Sequence, residues 1–529
     1  MRELLFNNYR TYPEIDLWRA NCVITTLNHN RRRPLLNQIT KGFSYMANCR
    51  SFVLTLFFST IFFSSTLNAA DLTWASKAVI KLFATQQSWS VAQPWSKNRS
   101  KQSTCSGFFI KQGILTNAHC VADATYIEME IPDLADKVEV RTVAINHQVD
   151  LALLKIVDND IGLEADVIEF GELPELRDKV VTVGYPMGGR QVSYTEGVVS
   201  RIDVMRYIHS NILAPLVQTD ATINLGNSGG PVFSDKTGDC LGVATQKLSA
   251  AEGMGFFIPT PIIKQFLNDL EDGTIAGIPS LGATFQTLEN PAARDQLNLT
   301  EKQSGIRVRD FSVGSTFDGV LQADDVILEV EGHTVLNDGR VRFRESGRIW
   351  LGYYVAKKQV GDTLKLKISR AGEVIELDVE LKPYRLTIVP RQPLYDQQTP
   401  YYVSGGMLFL AVEQRYLWGW GRNWKAKIPT SLKSQIGTLY GKKELEQLVV
   451  ISEVFDASVN KGYSGEIENI RVVKVNDLDI TKLADVEKAM TENRNKFHII
   501  ELEGDVKIVL NRKDADEQNE MIRARYGID

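Results

Sequence analysis

The chain has little net charge, few cysteines and no long apolar run, and each shortage closes off a class of function. Sixty basic against 65 acidic side chains leave a formal charge of −5 over 529 residues, too mild to give an electrostatic reason for a nucleic-acid partner. The five cysteines include no CxxC pair and no Cys/His spacing suited to zinc, so neither a metal nor a cofactor is expected. No low-complexity tract interrupts the sequence. What is there is a globular balance, 43% apolar and 24% charged, at a length beyond one hydrophobic core, which predicts two to four domains.

The most apolar segment, Ser51–Phe63 (SFVLTLFFSTIFF), follows Arg50 and precedes the small-residue stretch Ser64–Ala70. A positive residue, a short apolar core and an Ala at its exit predict a secretory signal over 46–70. The segment is too short and too rich in Ser and Thr for a comfortable membrane span; an uncleaved anchor is the alternative. Translation is expected to start at Met46, with 1–45 an upstream extension, and the mature chain to lie in the periplasm or an equivalent extracytoplasmic space. Arg31–Arg33 in that extension read as a solvated charge cluster. Cys22 and Cys49 precede the expected cleavage, which leaves Cys105, Cys120 and Cys240.

From about Trp74 to Gln246 the sequence is a succession of short Val-, Ile-, Phe- and Thr-rich runs bounded by Gly, Asp, Asn or Pro, such as CSGFFI (105–110), DLALLKIV (150–157) and KVVTVGY (179–185). Many strands without intervening helices predict antiparallel barrels or sandwiches. A helix is predicted at Thr260–Leu270, with Thr260 as cap, Pro261 in the first turn and Ile262, Ile263, Phe266 and Leu270 on one face. The turn-rich Glu271–Pro279 follows as a boundary. Residues 280–384 mix strands with one helical stretch, and Ala371–Gly372 reads as a hairpin turn. Beyond Pro383 the composition turns aromatic, and VVKVNDLDI (472–480) faintly echoes VILEVEGHTV (326–335), a hint of duplication. The expected domains are 71–272, 278–384 and 385–529.

Three stretches, ILTNAHCV (114–121), HQVDLALLKI (147–156) and TDATINLGNSGGPVF (219–233), carry the chemistry. A serine hydroxyl is a poor nucleophile and needs a base, and the base needs a third group to fix its tautomer and stabilise its cation. His119 serves as base, Asp150 as orienting carboxylate and Ser228 as nucleophile, in the chain order of chymotrypsin-like barrels rather than of subtilisins or α/β-hydrolases. Glycines around Ser228 permit a tight turn that aims the N–H groups of Gly226 and Ser228, with Asn227 between them, at one oxyanion position. Asp220 is a competitor for the carboxylate role but is better read as loop support. His147 and His209 read as residues of strand ends or loops. An esterase shares the nucleophile but has a G-x-S-x-G elbow that is missing here.

These stretches resemble those of the HtrA/Deg (Do-like) serine proteases, in which TNAH, the Asp of D-L-A-L-L-K and GNSGGP carry the triad. The similarity runs on through GFFIPTPII (255–263). LGATFQTLENPAAR (281–294) and RFRESGRIWLGYYVAKKQVGD (342–362) resemble the PDZ domain of the plant organellar Do-like branch. TPYYVSGGMLF (399–409), LVVISEVF (448–455) and NKGY (460–463) resemble its second, atypical PDZ-like module. The resemblance implies a mostly β fold, a chymotrypsin-like double β-barrel followed by two PDZ-like α+β domains. It also implies an endopeptidase that degrades misfolded polypeptides as a trimer or multiple of trimers. A PDZ-containing holdase or scaffold of low proteolytic activity is the alternative.

Against that family Cys120 stands where a Val commonly follows the histidine, and Cys105 stands where chymotrypsin-like digestive enzymes carry its partner. A Cys105–Cys120 disulfide is thereby implied, with two buried thiols as the alternative. Cys240 is read as a buried filler. Asn227 replaces the Asp that pairs with a newly cut N-terminus in zymogens, so activation is expected instead from loops that order on peptide binding, namely Ile202–Ala214, Thr222–Gly226 and Gln246–Gly253. Thr222, Ile223, Leu225, Thr245 and Gln246 are expected to form a modest apolar pocket without an acid for Lys or Arg. Ser280, Leu281, Gly282 and Ala283 resemble a PDZ carboxylate-binding loop for peptide C-termini, with a ligand-free turn as the alternative. Gly405–Phe409 is expected to serve subunit contacts.

Overall fold

Alternating burial sets the strands of the N-terminal part, as in Val138–Asn146, where Val138 and Val140 are buried while Glu139 and Arg141 are exposed. A computed structural model describes residues 69–529 apart from 132–135, 159–164, 190, 225, 248–253, 272, 346, 384–386, 440–445, 464 and 529. The expected upstream extension and nearly all of the expected signal segment lie outside the described residues. Among the described residues no helix is long and apolar enough to cross a membrane.

Twelve strands form two closed antiparallel barrels. The first contains β1 (Val79–Gln86), β2 (Lys101–Ile110), β3 (Gly113–Thr116), β4 (Ala124–Glu130), β5 (Val138–Asn146) and β6 (Leu151–Ile156), in the order β1-β2-β3-β6-β5-β4. The second contains β7 (Lys179–Gly184), β8 (Ser193–Arg206), β9 (Leu213–Thr219), β10 (Pro231–Ser234), β11 (Cys240–Lys247) and β12 (Gly255–Pro259), in the order β10-β11-β12-β9-β8-β7. Closure removes the free strand edges. Ile80, Leu82, Ile114, Met129 and Leu154 fill the first barrel; Val183, Leu216, Phe233, Val243 and Phe256 of the second form another core together with Phe108, Leu115 and Leu153 of the first. Cys240 is fully buried in that second core, and burial pushes its thiol up to about 12.

The predicted loop Ile202–Ala214 is mostly strand: β8 and β9 pair through Arg206↔Leu213, which leaves a short turn over 207–212. The helix after β12 spans Thr260–Asp269 and buries Ile262, Ile263 and Phe266. Thr260 is its first residue rather than its cap, because its hydroxyl is engaged by Leu241 O at 2.9 Å.

The next sheet orders Ala283–Thr287, Ile306–Phe311, Val326–Val330, Thr363–Arg370 and Glu373–Glu380. Its last hairpin turns at Ala371–Gly372, both at positive φ, as a two-residue primed turn requires. Leu281, Phe317 and Ile349 share one buried cluster with Val217, Ala221 and Phe257 of the second barrel. The faint echo in sequence has a structural counterpart. Val326–Val330 pairs with His333–Thr334 across Glu331–Gly332, and Val472–Val475 pairs with Leu478–Asp479 across Asn476–Asp477, all four turn residues at positive φ. In both places the longer strand then pairs with one member of a further hairpin, Thr363–Glu380 or Phe497–Asn511.

Candidate active site

His119 lies on the one-turn helix Ala118–Val121 that follows β3, and Asp150 immediately precedes β6. These strands are partners, with Thr116 opposite Ala152, so their ends deliver the two side chains to one place. Asp150 has φ 57, a sparsely populated conformation for a residue with a side chain. Asn117 Nδ2 fixes that backbone by donating to Asp150 O at 3.0 Å. The carboxylate takes the His119 backbone N–H at 2.9 Å through Oδ1 and lies 2.8 Å from Nδ1 through Oδ2. Thr245 Oγ1 donates to the same Oδ2 at 2.5 Å.

Burial opposes ionisation of Asp150, but the His119 charge and bond, the His209 charge and the Thr245 hydroxyl together hold its carboxyl at about 2. For His119 burial works against the cation; the charge and hydrogen bond of Asp150 outweigh it and raise the imidazole above its usual value. The His119 side chain is 31% exposed.

Ser228 comes from the second barrel, in the loop before β10. Its carbonyl accepts from Ser106 N of β2 at 2.9 Å, and the same oxygen lies 3.9 Å from Cys120 Sγ, beside His119. Its hydroxyl donates to Thr245 O at 2.9 Å rather than to His119. Thr245 thus touches both Asp150 and Ser228. Expected as a pocket wall, it is buried with its hydroxyl turned to Asp150.

The turn leading to Ser228 depends on Gly226 at φ +100, where an added Cβ would collide with Tyr185 O and Met187 N. Ser106 Oγ donates to Gly226 O at 2.8 Å. Of the three expected oxyanion donors, Asn227 N is engaged by Asn224 O at 3.0 Å, which leaves the amides of Gly226 and Ser228 for that role. Asp220, the competing carboxylate, accepts from Val198 N at 2.6 Å. Thr222 is exposed and Ile223 buried; Leu225 lies outside the described residues, as does the side chain of Gln246.

Cys105 and Cys120 are joined by a disulfide. Their sulfurs lie with a His119 nitrogen within 4.8 Å of one another, but bonded sulfurs offer no thiolate to a metal.

Sequence reasoning set His147 and His209 aside, whereas the structure brings both to the site. The rings of His119 and His209 are 6.2 Å apart, and His147 Nδ1 lies 2.9 Å from His209 Nε2. Tyr395 stacks on His209 at 4.2 Å, and His147 Nε2 meets Asp396 Oδ2 at 2.7 Å. Burial, assisted by the His119 and His147 charges, brings His209 down to about 3 against the pull of Asp150 and Asp396.

Residues 105–243 match the trypsin-like peptidase domain and residues 389–529 the PDZ domain. The chain is 34% identical to the chloroplastic protease Do-like 2 of Arabidopsis thaliana, over 85% of this chain and 74% of that protein. It is 32% identical to the mitochondrial protease Do-like 4 of the same plant, over 86% and 85%. A solved HtrA-type protease, AlgW with a decapeptide, aligns at 25% identity with a TM-score of 0.44, over 59% of this chain and 97% of that one. The chain belongs to the Do-like (Deg/HtrA) family and is a serine endopeptidase.

Proposed function

We propose that this enzyme is an exported quality-control peptidase that cuts unfolded polypeptides through an acyl-enzyme on Ser228. The observation that carries the reading is the contact chain from Ser228 through Thr245 and Asp150 to His119. Ser228 Oγ turns from Thr245 O to His119 Nε2, passes its proton there and attacks the scissile carbonyl. The Gly226 and Ser228 amides receive the developing oxyanion. His119 returns the proton to the leaving amine as the C–N bond breaks; water, deprotonated by the same imidazole, then frees the acid and Ser228.

Thr222, Ile223 and the chain around Leu225 bring no acid, so cuts fall after small or medium apolar residues. Ser280–Ala283 line a groove of about 400 Å³ between strand Ala283–Thr287 and the helix Gly352–Ala356. The strand is at the sheet edge, where a peptide adds as a further strand with its C-terminus at the loop. On this reading 71–272 is the protease, 278–384 and 385–529 are PDZ-like modules, and the enzyme assembles as a trimer or a multiple of trimers, as the family resemblance implies. The Ser51–Phe63 segment supports export.

A fluorophosphonate probe tests the mechanism: it labels the wild-type chain and not Ser228→Ala, and only the former digests denatured casein. Labelling that survives Ser228→Ala overturns the assignment, and dominant cuts after Lys or Arg overturn the pocket reading.

A further inference from the structure

The first barrel and the chain beyond residue 389 enclose a cavity of about 430 Å³ that reaches His119. Trp89 and Asp123 line it from the barrel; Tyr395, Arg415 and Trp418 line it from the other side. That far wall is fastened in place. The Tyr395 hydroxyl donates to His209 O at 3.0 Å, and Asp396 N donates to Asp123 Oδ1 at 2.8 Å.

Arg415 stands out in this wall. Its side chain is only 11% exposed. Nε donates to Glu413 Oε1 at 3.3 Å, while Nη1 and Nη2 are buried with no hydrogen-bond partner among the described residues. A guanidinium is a planar fork of donors that matches a carboxylate, and buried donors left unmet are costly. Glu413 does not meet them: its other oxygen accepts from the backbone N–H groups of Arg415 at 2.9 Å and Leu394 at 3.4 Å. Lys101 adds a second cation to the lining, and the Asp123 carboxylate there is already bonded by Asp396 N.

We propose that this cavity is a substrate subsite completed by the C-terminal module, in which Arg415 receives a carboxylate of the polypeptide being cut. The proposal deepens the peptidase reading and rests on it. Trp89, Tyr395 and Trp418 supply apolar walls around one charged contact, the usual make-up of a selective pocket. The carboxylate belongs either to an acidic side chain close to the scissile bond or to the substrate's own C-terminus, since both present the same pair of oxygens.

Fluorogenic peptides that differ only by Glu or Gln at each position flanking the cut, each made as free acid and as amide, test it. In the wild type one acid-bearing form exceeds its neutral isostere in kcat/KM by about tenfold or more. Selectivity for Glu over Gln identifies a side chain as the source; selectivity for acid over amide identifies the chain end. Arg415→Gln brings that ratio close to unity, and Arg415→Lys, which keeps the charge without the fork, leaves it in between. Because Arg415→Gln strands the buried Glu413, the double variant Glu413→Gln/Arg415→Gln is measured beside it and loses the same selectivity. Equal rates on every pair in the wild type, or selectivity that survives both variants, overturns the proposal. If no peptide is cut, calorimetry on Ser228→Ala protein separates the two readings. Carboxylate-selective binding that Arg415→Gln abolishes keeps the subsite and removes the peptidase mechanism, whereas equal binding, or selectivity that survives Arg415→Gln and so belongs to the Ser280–Ala283 loop, removes both.

Discussion

Asp150 faces three donors from a strained backbone, and its surroundings set how His119, the base of the proposed mechanism, titrates. A base works only unprotonated, and His119 is raised above its ordinary value of 6.5. Activity therefore rises with pH through a midpoint above 6.5 and is lost below it. Asp150→Asn removes the charge that holds the proton, so the midpoint of the kcat/KM profile moves down while kcat falls by about 10³- to 10⁴-fold. Thr245→Val takes one donor from the carboxylate, lets Asp150 titrate higher and lowers kcat by about tenfold, with Thr245→Ser restoring it. A Val variant with wild-type kcat and pH profile counts against the supporting role of that hydroxyl. His119, Asp150 and Ser228 could be picked out as candidates because each sits in a short string of distinctive residues. Thr245 and His209 were not, since nothing in DCLGVATQ or YIHSN marks a residue that folding brings beside Asp150 and His119, and His147, though it opens HQVDLALLKI, reaches them only through His209.

The loops and strand ends that carry these residues are held by a few covalent and conformational constraints. Gly226→Ala puts a Cβ where Tyr185 O and Met187 N already lie, at a φ that side chains rarely adopt. The turn then shifts and takes an oxyanion donor with it. The expected loss in kcat is about 10²-fold or more, with the far-ultraviolet circular dichroism unchanged because both barrels are closed elsewhere. The Cys105–Cys120 bridge closes a loop of 15 residues by sequence separation, which corresponds to about 3 kcal/mol of stabilisation in the chain-entropy account. Cys105→Ser/Cys120→Ser protein is expected to unfold at correspondingly lower urea. An unchanged midpoint refutes the stabilising role. At this scale the strands of the first barrel and the Ala371–Gly372 turn followed directly from Val-, Ile-, Phe- and Thr-rich runs and from turn chemistry. The turn over 207–212 did not, because an apolar, polar-spaced run such as Ile202–Ala214 fits a loop as well as two paired strand ends.

Across the whole molecule, the C-terminal part is joined to the catalytic barrel through Tyr395 and Asp396, contacts that span 273 residues of sequence for Asp123 and Asp396. No local pattern predicts a contact of that separation. His209, half-buried beneath Tyr395, stays neutral down to about 3, whereas exposed histidine protonates near 6.5. The sign follows from linkage: an opened or unfolded form binds the proton first, so the closed arrangement is fully favoured above pH 6.5 and weakens as pH falls toward 3. Limited proteolysis of Ser228→Ala protein between residues 384 and 398 is expected to speed up over that window, and His209→Gln to flatten the response. A rate that does not change with pH argues against it.

The Tyr395–Asp396 attachment also bears on how the enzyme comes into being. A nascent chain made as far as Thr260 already contains His119, Asp150 and Ser228 but not the wall that Tyr395 and Arg415 add beside them. Synthesis from the N-terminus therefore leaves the cleft unfinished until the chain has passed Arg415, so on the proposed mechanism a product truncated before that point has the three reacting side chains without the proposed subsite beside them.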